Sequence, residues 1–146
     1  MIADILKMLR GEEPPKRMTA EDERVALAAL LVRVAMADHQ YDDSEKAAIT
    51  AILAARYSLS DGDATALRAE GETLEHDAPD TVRFTRVLKD AVAYEDRAAL
   101  AEGLWLVALA DGERAAEENA FLRQVVALLG ISDQDSGLAR QRVERG

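Results

Sequence analysis

Carboxylates recur in this chain at matched places around two turns, and clustered carboxylates are what a hard-cation site is built from. The first group is Asp38, Asp42, Asp43 and Glu45. The second is Asp111, Glu113, Glu117 and Glu118, and the spacing from Asp38 to Asp111 equals that from Glu45 to Glu118. The flanks repeat in the same register, as Arg24/Arg97, Leu27/Leu100, Leu31/Leu104, Val34/Val107 and Ala37/Ala110. Alanine matches are expected in an alanine-rich chain, but the two acidic pairs are not. The chain therefore contains a duplicated helix–turn–helix unit with one acidic site per copy.

Asp38 follows Val34 by four residues and Asp111 follows Val107 by four, which sets each acid on or beside an apolar stripe at a helix C-terminus. Carbonyl groups make that end negative, so an anion there costs roughly 0.3–1 kcal/mol. Carboxylates that converge with helix-end carbonyls make an oxygen-rich environment for Ca2+ or Mg2+. A structural reading stands beside this one, because an Asp in a turn accepts backbone N–H bonds. Asp42 and Glu45 also have the spacing of a capping box. In the second copy Ala115 replaces Asp42 while Glu118 persists, so a reciprocal box does not explain Glu118, whereas a place in the first helical turn still does. Both readings stay open.

Other chemistry is poorly provided for. Asp38 to Asp42 is not an EF-hand loop, since Gln40 stands where an acid is needed and the required glycine is missing; the Asp61-Gly62-Asp63 run has Ala66 at that glycine's place. No phosphate loop, dinucleotide fingerprint or His-Glu-x-x-His pair occurs. His39 and His76 are both expected in turns, far apart, where neither suggests Zn2+ or general-base work. There is no cysteine, hence no disulfide, thiolate site or Cys nucleophile. A net charge of −10 argues against nucleic acid, whose phosphates need clustered Lys and Arg, and suits cations or basic partners. No apolar run approaches the roughly 20 residues of a membrane span, and the N-terminus lacks the features of a signal peptide, so a cytoplasmic location is expected.

The elements that must position these acids are helices. In 146 residues, 49% are apolar but only 4% aromatic, which predicts one core of Leu, Ala, Val and Ile. Ile2, Ile5, Leu6 and Leu9 share one helical face, and Gly11 and Pro14-Pro15 separate that segment from the rest. It is expected to dock on the bundle or in a homodimer, with weak membrane-surface contact as the alternative. Thr19 has the chemistry of a cap for a helix running to Asp38. Further helices are expected from about Asp42 to Tyr57, from Ser60 to about Leu74, after Pro79, from about Glu95 to Ala110, from Ala115 to Leu129, and from Ser132 to about Val143. No strand pattern is present. The predicted class is all-α, a compact bundle of seven to eight helices.

With Ala37-Asp38, Asp42 and Glu45, then Ala110-Asp111-Gly112-Glu113 and Glu118, the chain resembles the tellurite-resistance TerB-like family over roughly residues 24–140. The resemblance implies a compact all-α domain at 19–146, preceded by the amphipathic segment and Pro-containing linker of 1–18. It also implies a surface metal site formed by Asp38, Asp42, Glu45, Asp111 and Glu118. A non-enzymatic interaction or metal-sensing module follows, linked to tellurite resistance or stress and working with a protein partner. The alternatives are a metal-dependent hydrolase of a small phosphorylated substrate and a structural adaptor without ligand. His39 in place of the family's first-turn Gly, and Ala115 in place of an acid, are departures; the latter makes the first copy the better site.

Overall fold

The computed structural model describes residues 20–36, 41–77, 85–86, 88–90, 97–109 and 116–145. Within them every regular element is helical, in agreement with the expected all-α class. We number the helices α1 (Ala20–Ala35), α2 (Asp43–Tyr57), α3 (Asp61–Asp77), α4 (Arg97–Ala108), α5 (Ala116–Leu128) and α6 (Asp133–Arg145). The short helical stretches 85–86 and 88–90 lie where a helix is predicted after Pro79. The N-terminal segment, the Thr19 cap and Pro79 itself lie outside the described residues.

Helix α1 is the centre of the bundle. Its residues from Val25 to Val32 are all buried, as are Val34 and Ala35, so over its middle turns it is apolar around the whole circumference, and its charged residues stand at its start, from Glu21 to Arg24, and at Arg33. It packs most extensively on α3, while α4 packs chiefly on α6 and also crosses α1. The α1–α3 contact is close because Gly71 faces Ala28. A Cβ at Gly71 would come within 2.7 Å of the Ala28 Cβ, so only glycine fits without displacing a helix. Arg33, the one cation in the last turn of α1, reaches across to Glu75, with Nε 3.3 Å from the carboxylate and Nη2 donating to the Glu75 carbonyl at 3.1 Å.

That clasp bears on one helix end. The pattern predicts that α3 stops near Leu74 and that His76 lies in a turn; instead α3 runs to Asp77 and His76 sits in its last turn. His76 and Asp77 do not break a helix by themselves, and Glu75 is held by Arg33. Pro79, two residues beyond, disfavours helix in the residue before it.

The duplication extends to the hydrogen bonds that end and restart helices. Helix α2 stops at Ser58, in the left-handed conformation (φ 54°), with the Leu59 N–H donating to the Ala54 carbonyl at 3.0 Å. Helix α5 stops at Gly130 (φ +77°), with the Ile131 N–H donating to the Val126 carbonyl at 3.1 Å. These are paired Schellman-type caps. Each is followed by a serine N-cap, Ser60 accepting from the Asp63 N–H and Ser132 from the Asp135 N–H, both at 3.1 Å. In the second half, the buried Trp105 indole donates to Ser136 Oγ at 3.1 Å and fixes α4 against α6.

Candidate metal centre

Asp42 is the N-cap of α2, with extended backbone (φ −90°, ψ 178°). Its Oδ1 accepts the Glu45 N–H at 3.0 Å and the Ser44 hydroxyl at 2.7 Å. The Ser44 hydroxyl, and then the Glu45 N–H, hold the Asp42 carboxyl below its ordinary value. One oxygen of Asp42 is thus committed to the cap, which supports the turn-forming reading for this residue. Glu45 behaves differently. Its backbone joins the cap, but its side chain is only 1% exposed and lies on the same buried face of α2 as Ile49 and Leu53. A capping carboxylate sits at the surface; this one enters the core.

Around the same turn the structure gathers residues that the spacing of acids did not single out. Tyr41 precedes the cap, its ring 5.1 Å from the Lys46 ammonium. Arg68, from α3, donates through Nη1 to the Lys46 carbonyl at 3.2 Å and to Thr50 Oγ1 at 2.8 Å, tying α3 to the first turns of α2. Burial first, then the carboxylates of Glu72 and Glu45, push the Tyr41 hydroxyl far above the ordinary tyrosine range, with Arg68 opposing. Arg68 and Glu72 are four residues apart on one face of α3, and that spacing is the signal that could have found them.

The five predicted site residues are placed unequally. Asp42 caps α2 and Glu45 lies in its first turn, the one exposed and the other buried. Asp38 and Asp111 lie outside the described residues, as does His39. Glu118 is the third residue of α5, as Glu45 is of α2, though its side chain lies outside what is described. Among the described residues no three His, Asp or Glu side chains converge to hold a metal ion. The donors that are described suit a hard cation, since Glu45 and Asp42 bring only carboxylate oxygens and the chain has no thiolate. Among the described residues no helix is long and apolar enough to cross a membrane.

No curated protein and no solved structure matches the chain. The family model described as "Tellurite resistance protein TerB" matches residues 24–141, which take in both helix–turn–helix units and the helices between and after them. The chain therefore belongs to the tellurite-resistance TerB family.

Proposed function

We propose that this TerB domain is a non-enzymatic cytoplasmic module that binds a divalent cation, Ca2+ or Mg2+, at the acidic turn of its first repeat. It passes that binding on to a protein partner, in tellurite resistance or a related stress response. The observation that carries the reading is the inward turn of Glu45, which brings a carboxylate beneath the capped turn that Asp42 opens, at a position where the repeat also has an acid, Glu118. Carboxylate oxygens gathered at one turn are the donors that a hard cation takes. Asp42 keeps one carboxylate oxygen that its cap does not use, and Asp38, four residues before it in the sequence, would add another. In this reading Glu45 and Asp38 are ligands, Asp42 contributes the oxygen not used in its cap, and Asp111 and Glu118 form the weaker second site. Bound cation would neutralise the acids and fix α1 against α2.

Thermal unfolding of metal-free protein tests this. A cation that binds only the folded state stabilises it by about 2.7 kcal/mol at a hundredfold excess over its dissociation constant. Asp38→Asn should leave the metal-free melting temperature unchanged or raised, because a misplaced helix-end charge is removed, while reducing the cation-dependent rise. Asp111→Asn should reduce that rise less, since Ala115 thins the second site. If the acids only form turns, Asp38→Asn is silent and Asp38→Ala costs on the order of 1 kcal/mol with or without cation.

A further inference from the structure

Helix α2 carries two apolar stripes, and among the described residues only one is covered. Ile49 and Leu53, with Glu45, face the core. On another side Ser44, Ala47, Ala48, Ala51, Ile52 and Ala55 follow helical spacing and form one wall of an open groove of about 710 Å³. Leu106 from α4, Leu109 just after it and Val143 from α6 form the other wall, and Leu106 is 43% exposed. Ile52 closes the floor against α4, its Cγ2 lying 3.7 Å from where a Cβ on Gly103 would be.

We propose that residues 2–10 cover the open stripe, lying in the groove as a short helix with Ile2, Ile5, Leu6 and Leu9 against the alanines. The dimensions agree. Nine helical residues span about 13.5 Å, and the stripe from Ser44 to Ala55 spans about 16 Å at 1.5 Å per residue. The tether agrees as well. Helix α1 begins at Ala20, and its Arg24 guanidinium lies 4.7 Å over the ring of Tyr57, two residues beyond the Ala55 end of the groove. Residues 11–19 reach up to about 30 Å when extended, enough to place Leu9 at that end.

The test is hydrogen exchange on the full chain, beside the variant Ala51→Arg. Ala51 is exposed in mid-helix and Arg is a strong helix former, so this variant blocks the groove without cost to the fold, which circular dichroism verifies. In the wild type the amides of residues 5–10 should exchange at least about tenfold more slowly than an unstructured chain, and Ala51→Arg should abolish that protection. The chain has no cysteine, so Leu6→Cys combined with Ala51→Cys gives a clean second readout. The pair should oxidise within one molecule at low protein concentration. Unprotected residues 5–10, or protection that survives Ala51→Arg, overturns the proposal. A cross-link found only between molecules assigns the groove to a second copy, and protection seen only with anionic vesicles assigns the segment to a membrane surface; either result overturns it.

Discussion

Asp42 and Glu45 are three residues apart and do different physical work. Asp42 is exposed and its Oδ1 is saturated by two donors, so its contribution is local. Glu45 is buried, and its carboxylate is one of those that raise the Tyr41 hydroxyl. The pH dependence follows from the tyrosines. Burial raises Tyr41, reinforced by Glu72 and Glu45, and burial also raises Tyr57 against the opposing effect of Arg56. Both folded values exceed the unfolded one near 10, so the neutral phenols favour the folded chain. Their contribution is complete below about pH 10 and is lost as pH rises through the folded values. Alkaline titration should therefore show Tyr41 and Tyr57 ionising only as the helical circular dichroism disappears. Two tyrosinates forming at ordinary pH in a fully helical chain would contradict this environment.

Helix ends are where the duplication is most explicit, and where its two copies are unequal. Gly130 takes the left-handed cap at no steric cost, while Ser58 takes the same conformation with a Cβ, at a cost of roughly 1–2 kcal/mol. Ser58→Gly should stabilise the protein by about 1 kcal/mol, read as a raised denaturation midpoint at constant m-value, while a fall would mean that the Ser58 side chain makes a needed contact. These ends were partly legible in the sequence, because Gly130, Ser60 and Ser132 carry their cap chemistry in their residue types. The end of α3 was not, since the Arg33–Glu75 clasp that accompanies its last turn joins residues distant in sequence. Gly71 reads in sequence as a weakness in a helix, and only the packing on Ala28 shows why it is glycine. The site was legible to the same depth. Repeated acids pointed to Asp42 and Glu45, whereas the inward turn of Glu45 and the reach of Arg68 depend on how α3 lies against α2.

Across the whole molecule, the buried central helix α1 is itself the first helix of the first copy, and Asp42 and Glu45 of that copy stand where α2 begins. The first copy keeps an acid, Asp42, where the second has Ala115, so it should be the stronger cation site. Calorimetric titration of the metal-free protein with Ca2+, Mg2+, Mn2+ and Zn2+, repeated on Glu45→Gln and Glu118→Gln, tests that directly. Glutamine preserves the shape of the side chain and removes its charge, and circular dichroism confirms that the variants fold. The account predicts that Ca2+ or Mg2+ binds the wild type, that Glu45→Gln weakens binding by about tenfold or more, roughly 1.4 kcal/mol, and that Glu118→Gln has a smaller effect. Absence of binding by every cation, or equal affinity in wild type and Glu45→Gln, would contradict it.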